Sequence, residues 1–204
     1  MSAVKKCPLR VKLILEWIEP YSTVLDVGCG EGLVAEEIVK NKKCEIYGID
    51  ISAKAIQKFI DKGFHGEVRD IDQEGLQLES NYDYILLIEV LEHLKWPHKI
   101  LLEACAHAKR GVIVTIPNSG YIRWRLQMLR GFFPRQTFTH LHFWSVKDFS
   151  LFLRTLGLRA IDFKTELSGL INRAFGNLLA YQQCWLIAPK TLIGGKEAVA
   201  EVKS

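Results

Sequence analysis

The chain has 204 residues, 49% hydrophobic and 25% charged, with 27 Lys and Arg against 23 Asp and Glu for a net charge of +4. This is the size and composition of one globular core; it excludes a disordered, collagen-like or disulfide-stapled chain, and the charge is too small to make nucleic acid the default partner. Five cysteines (Cys7, Cys29, Cys44, Cys105, Cys184) with no CxxC pair argue against a zinc knuckle and suit the reducing cytoplasm.

In chain order, Val11, Ile14, Leu15 and Ile18 recur at helical spacing, so residues 8–19 are expected to form a helix closed by Pro20. Its apolar run is broken by Lys12 and Glu16, and no A-x-A-like cleavage site follows, so no export signal is expected. Strand 24–27 then leads through a glycine turn into a helix at 33–39. Strand 45–49, helix 53–62, a weak strand at 66–69, a strong strand at 82–88, helix 97–108 and strand 112–116 follow. Parallel neighbours need a crossover and the intervening helices supply it, so this alternation predicts an α/β fold, doubly wound, with a mostly parallel sheet.

The last third departs from that rhythm. A helix is expected at 145–156 with Ser145 as N-cap, and strands at 158–163 and 183–187. Leu167, Leu170, Ile171, Ala174, Phe175, Leu178 and Leu179 make an apolar helical stripe suited to covering a sheet edge, a dimer surface or a lid. Residues 1–190 are expected to form a single domain and 191–204 a flexible tail. No stretch is long and apolar enough to span a membrane.

The most informative segment is Val24-Leu25-Asp26-Val27-Gly28-Cys29-Gly30-Glu31-Gly32, an apolar strand running into a glycine turn and then a helix. Glycines allow a tight turn and close approach of a ligand to the main chain at the carboxyl ends of the strands. The spacing is G-x-G-x-G, whereas the dinucleotide fingerprint needs a third small residue where Leu33 stands. Asp26 and Glu31 near the loop would repel a pyrophosphate and welcome an ammonium or sulfonium. Asp50 ends the second strand, where a carboxylate can accept both hydroxyls of a ribose, and Asp70 ends the third.

DVGCGEG, GIDIS, RDIDQEG, YDYILLIEVLEHL and VTIPN, in that order, resemble the sequential motifs of class I S-adenosylmethionine-dependent methyltransferases over residues 20–117. Pro117-Asn118-Ser119-Gly120, Arg123 to Gln127, Gly131, Thr139-His140 and Asp148-Phe149 extend the likeness, to residue 157, toward the methionine-biosynthesis MetW family. The resemblance implies a seven-stranded, Rossmann-like sheet and S-adenosylmethionine as cofactor. It implies Gly28, Gly30 and Gly32 against the amino-acid end of that cofactor, with Asp26 orienting the loop or receiving the ammonium. Asp50 with Ile51 then falls at the ribose and Asp70 with Ile71 beside the adenine; the opposing reading is that these acids cap helices or pair with surface lysines. The Arg69-Asp70 pair departs from the commoner GD. Glu89, ending the fourth strand, faces the same crevice or caps a helix.

From Ala104 to Lys147 there is no acid, while seven Lys and Arg residues are interleaved with aromatics. Residues 118–144 also lie at the ligand-binding end of the sheet and form the expected insert after the fifth strand. Tyr121, Arg123, Trp124, Arg125 and His140 are the candidate substrate contacts, since guanidinium forks match carboxylates or phosphates and aromatics wall an apolar body. The opposing reading is a helix whose arginines are merely solvated. Methyl transfer needs alignment more than a base; His93, His140 and His142 are the candidates if one is used. The alternation of Thr139 to Phe143 is strand-like and places His140 and His142 on one face. No metal is expected, because two histidines need a third ligand that the sequence does not nominate.

Two functions follow. One is methylation of a small, anionic acceptor. The other is a noncatalytic, cofactor-binding regulatory subunit acting on a protein partner, which the MetW resemblance implies through its association with homoserine acylation in methionine biosynthesis. An RNA methyltransferase is disfavoured by the low net charge and the lack of an RNA-binding module, a nicotinamide dehydrogenase by the loop spacing.

Overall fold

The computed structural model describes residues 9–133, 137–167 and 175–190. Within them the chain runs α1 (Leu9–Leu15), β1 (Thr23–Val27), α2 (Leu33–Lys42), β2 (Glu45–Asp50), α3 (Ala53–Asp61), β3 (His65–Val68), α4 (Ile71–Glu74) and β4 (Tyr82–Ile88). A 3-10 turn (Leu91–His93) precedes α5 (Pro97–His107), β5 (Ala108–Pro117), α6 (Ile122–Leu129), α7 (Val146–Thr155), β6 (Ala160–Thr165) and β7 (Gln182–Ile187). The expected tail and most of the apolar stripe lie outside the described residues, although 175–179 are helical. Among the described residues no helix is long and apolar enough to cross a membrane.

The seven strands lie in the order β3-β2-β1-β4-β5-β7-β6. The first five are parallel; β7 returns antiparallel to β5, and β6 pairs antiparallel to β7. This is the doubly wound, mostly parallel sheet expected from the sequence. Alternate residues of each strand face opposite helical layers. Leu25, Val27, Ile85 and Leu87 meet Ile100, Leu101, Ala104, Phe149 and Leu153 from α5 and α7. Val24, Tyr84, Leu86 and Ile88 meet Ile14, Ala35, Ile38, Ile56 and Phe59 from α1, α2 and α3. The strand order reverses between β1 and β4, which opens a crevice beyond Val27 and Ile88, where this class of sheet binds ligands.

Local chemistry sets several boundaries. Ser145 accepts from the Asp148 amide at 3.2 Å while Asp148 accepts from the Ser145 amide at 3.1 Å, the reciprocal cap that starts α7. Helix α1 is shorter than the pattern suggested: it stops at Leu15 and a turn closes with the Trp17 amide on the Ile14 carbonyl. Strand β6 starts at Ala160 rather than at residue 158, because the Leu158 amide is still bonded to Leu153 in the turn that follows α7.

Candidate functional site

The glycine loop is pinned to the end of β2. The Gly28 and Cys29 amides donate to the Ile49 carbonyl at 2.7 and 3.1 Å, and the Gly30 amide donates to Asp50 Oδ2 at 2.8 Å. Asp50 Oδ1 accepts from the Ser52 amide at 2.8 Å, so one carboxylate holds both the loop and the entry to α3. Gly28, Gly30 and Gly32 all have positive φ (73°, 54° and 82°), a region costly for other residues. Their surroundings differ. A Cβ on Gly28 would lie 2.6 Å from Val90 Cγ2 and one on Gly32 2.8 Å from the Phe59 ring, whereas one on Gly30 would meet nothing within 4 Å. A side chain at Gly28 or Gly32 would therefore meet packed neighbours, whereas one at Gly30 would point into open space.

Asp26 lies beneath this loop, 1% exposed, with Oδ2 unpartnered among the described residues. Burial, reinforced by the charge on Asp50, pushes its carboxyl from 3.8 up to about 7. A buried, unsatisfied carboxylate at the root of a ligand loop is a fitting counter-charge for a cationic ligand. Glu31 corrects one expectation: it is exposed and ion-paired with Lys58 at 2.5 Å, so it is not the acid that would repel a pyrophosphate. That argument rests instead on Asp26 and the loop spacing.

Asp70 caps the short α4, accepting from the Asp72 amide at 3.1 Å and from Gln73 Nε2 at 2.6 Å, with Ile71 half-buried behind it. Ile51, at 66% exposure, leaves an apolar surface next to Asp50. Glu89 is not a helix cap. It has φ +58°, its amide bonds to the Thr115 carbonyl at 2.9 Å, and its Oε1 accepts from Gln182 Nε2 at 3.0 Å. Burial raises its carboxyl above the usual range. Gln182 was missed by sequence reading because only the antiparallel return of β7 brings it there.

Across the crevice, the residues around Asn118 are structural. Asn118 is fully buried; its amide donates to the Tyr181 carbonyl at 2.9 Å, its Nδ2 to the Ala180 carbonyl at 2.6 Å, and its Oδ1 accepts from Gly120 at 2.9 Å. Tyr121 and Trp124 pack toward Tyr181 at ring separations of 5.8 and 6.2 Å. Arg123 and Arg125 are both exposed, and Arg125 Nε donates to the Gly120 carbonyl at 2.7 Å. Helix α6 buries none of its residues. The cavity lined by Glu92, Ser119, Trp124, His140, His142 and Trp144 is about 10 Å³, room for a water or an ion rather than for a substrate. A larger space of about 190 Å³ lies where α1 meets the start of β7, lined by Arg10, Leu13, Glu166, Tyr181, Gln182 and Cys184.

The histidines are placed by Glu92 rather than by a strand. Residues 139–143 form no ladder: the Leu141 and His142 amides both bond to the Glu92 carbonyl, at 2.7 and 3.2 Å. His142 stacks on Trp144 at 5.1 Å and donates Nε2 to the Leu94 carbonyl at 3.0 Å. His140 meets His93 edge-on at 4.7 Å. Burial, with His93 nearby, lowers the His140 pKa. The side chain of Glu92 is 1% exposed, and burial and the Glu89 charge push its carboxyl from 4.5 up to about 8.

The sheet order gives the chain the Rossmann-like fold of class I S-adenosylmethionine-dependent methyltransferases, with the loop pinned through Asp50 at the ligand-binding end of the sheet. More narrowly, the chain belongs to the family described as methionine biosynthesis protein MetW, whose model matches residues 10–179. The ubiquinone biosynthesis O-methyltransferase of Nitrosomonas europaea is 35% identical over 107 residues, 48% of this chain and 45% of that protein. The enzyme of the same name from Paraburkholderia phytofirmans is 27% identical over 176 residues, 77% of this chain and 73% of that protein. The chain spans about half the length or less of the first curated relatives it matches. An S-adenosylmethionine-dependent methyltransferase from Archaeoglobus fulgidus superposes with a TM-score of 0.65 at 19% identity, covering 89% of this chain and 91% of that one.

Proposed function

We propose that the protein transfers the methyl group of S-adenosylmethionine to a small anionic acceptor in the cytoplasm, in a step tied to methionine biosynthesis. The observation that carries the reading is Gly30, whose backbone faces open space between the buried carboxyl of Asp26 and the loop-holding carboxylate of Asp50. Bound there, S-adenosylmethionine would supply an electrophilic methyl carbon, with the carbon–sulfur bonding pair going to the departing thioether. The chain's own contribution is orientation: Asp50 fixes the loop and the ribose position, Asp26 offers charge to the amino-acid end, and Gln182 with Glu89 walls the far side. The anionic character of the acceptor is supported by the acid-free stretch from Ala104 to Lys147 and by the exposed guanidinium of Arg123. The described cysteines are free and buried, in keeping with a reducing compartment.

A second reading, a cofactor-responsive subunit that regulates a protein partner in homoserine acylation, is favoured by the smallness of the cavity beneath α6 and by the exposed Leu126, Met128 and Leu129 on that helix. Incubation with S-adenosylmethionine and a metabolite extract separates the two. A catalyst accumulates S-adenosylhomocysteine with a methylated product; a regulator binds the cofactor without turnover.

A further inference from the structure

Three side chains with ligand chemistry meet at the carboxyl end of β4, outside the cofactor loop. Glu92, His93 and His140 bring one carboxylate oxygen and two imidazole nitrogens within 4.8 Å of one another. The arrangement is built rather than incidental. The carbonyl of Glu92 takes the amides of Leu141 and His142, which clamps the loop carrying His140 over the residue whose side chain it meets. His93 Nδ1 lies 3.2 Å from the Thr139 carbonyl and must donate to it, so the lone pair of that ring sits on Nε2. A backbone carbonyl on the far nitrogen is the usual way a ligating histidine is oriented.

The unexplained group is Glu92. It is 1% exposed, and neither Oε1 nor Oε2 has a hydrogen-bond partner among the described residues. Leaving both oxygens of a buried carboxyl unsatisfied is costly, and such a group calls for an ion or a water. Glu92 and His140 line a cavity of about 10 Å³, together with Ser119 and Trp124. Among the described residues Arg10 is the cation that acts on Glu92, and it makes no ion pair with it.

We propose that Glu92, His93 and His140 form a binding site for a divalent first-row transition ion, held by two imidazoles and one carboxylate with a coordination position open to the adjoining cavity. Imidazole and carboxylate together suit zinc, manganese or ferrous iron better than magnesium or calcium, which prefer all-oxygen shells. Metal–ligand bonds of about 2.0–2.2 Å set tetrahedral ligands about 3.4 Å apart, so closing the site from the present spacing takes a shift of about 1 Å in side chains that sit on a turn and a loop. Binding of the ion does not depend on methyl transfer. Its open position faces a cavity of about 10 Å³, room for one coordinated water.

The test uses untagged, full-length protein stripped with a chelator and titrated with zinc alone by calorimetry, with cobalt as a spectroscopic probe and S-adenosylhomocysteine binding measured in parallel. The expected result is one ion per chain, a cobalt spectrum of mixed nitrogen and oxygen ligation, and a rise in melting temperature on adding metal. Glu92→Gln and His140→Ala should each weaken metal binding at least tenfold while S-adenosylhomocysteine binds as before. His93→Ala, at the more open corner of the site, gives the same readout should either buried variant fail to fold. Absence of saturable binding to the native protein, or binding unchanged in the variants that fold, overturns the site. Loss of S-adenosylhomocysteine binding by the native protein would instead strike the cofactor assignment and leave the metal result standing.

Discussion

The two walls of the crevice are built by opposite means. On the glycine-loop side, two short segments do nearly everything: β1 runs into the glycine loop, and the end of β2 ties the loop down through the Ile49 carbonyl and the Asp50 carboxylate. On the acceptor side, every important contact joins distant parts of the chain: Asn118 with 180 and 181, Glu89 with Gln182, Glu92 with the loop at 140–142. A site made of local turns is fixed as soon as its strands form, whereas a site made of long-range contacts depends on the antiparallel return of β7 and on the placing of loops. The first is suited to a ligand shared across a fold, the second to one that differs from protein to protein.

The sharpest way to test that contrast is within the glycine loop itself. Gly30→Val adds a side chain where there is open space, so the protein should fold with a loss of about 1–2 kcal/mol from the left-handed backbone, yet S-adenosylhomocysteine should no longer bind by calorimetry. Gly28→Val drives its Cβ to 2.6 Å from Val90 and should show its main effect as a much larger fall in melting temperature. Equal stability losses in the two variants would erase the distinction between a packing glycine and a ligand-facing one.

Asp26 provides a pH-dependent version of the same test. Its folded pKa of about 7 lies above the ordinary 3.8, so the folded chain holds this proton more tightly than the unfolded chain does. Its contribution is therefore fully present below about pH 4, declines as pH rises, and is lost once pH passes about 7. Because each tenfold difference in proton affinity between the folded and unfolded chain is worth about 1.4 kcal/mol, the loss amounts to a few kcal/mol. Urea unfolding at pH 5 and pH 8 should show it, and Asp26→Asn should reduce the difference; Glu92 adds a slope of the same sign in both proteins, so the comparison between them isolates Asp26. An ammonium ligand favours the ionised carboxyl, so S-adenosylhomocysteine should bind the native protein more tightly at pH 8 than at pH 6. Asp26→Asn should flatten that dependence as well.

Asp50→Ala should weaken S-adenosylhomocysteine binding by about 2 kcal/mol, near 30-fold, because the loop amide of Gly30, the Ser52 amide and the ribose site all lose one acceptor. Unchanged affinity in a folded variant would show the loop to be held by the Ile49 carbonyl alone.

What the sequence revealed follows the same division. Short apolar runs between helical patterns marked the five parallel strands, and the G-x-G-x-G spacing with acids at 26 and 50 marked the glycine-loop wall, since both are short-range patterns. Ser145 was readable as a cap because its partner is three residues away. The pairing of Glu92 with His140 was not, because 48 positions separate them and no local pattern marks a carboxylate left unsatisfied. Strand-like alternation at 139–143 misled for a related reason: the Glu92 carbonyl takes the amides that a ladder would have used.

The smallest expected effects come from α6, where Arg123 and Arg125 are two positions apart and so point about 200° away from each other. Both are exposed, but Arg125 Nε holds the Gly120 carbonyl at the start of the helix, while the Arg123 side chain makes no hydrogen bond among the described residues. Arg125→Gln should therefore cost about 1 kcal/mol of stability, the worth of one partly buried hydrogen bond, and leave cofactor affinity alone. Arg123→Gln should leave the unfolding midpoint unchanged within about 0.5 kcal/mol, as exposed substitutions do. Its effect should appear only with an anionic acceptor, as a several-fold rise in KM with kcat little altered, the pattern of a lost binding contact. Denaturant unfolding and steady-state kinetics on the two variants decide the matter. If Arg123→Gln leaves KM unchanged for every acceptor found, the acid-free stretch is a solvated surface and the anionic acceptor loses its principal support.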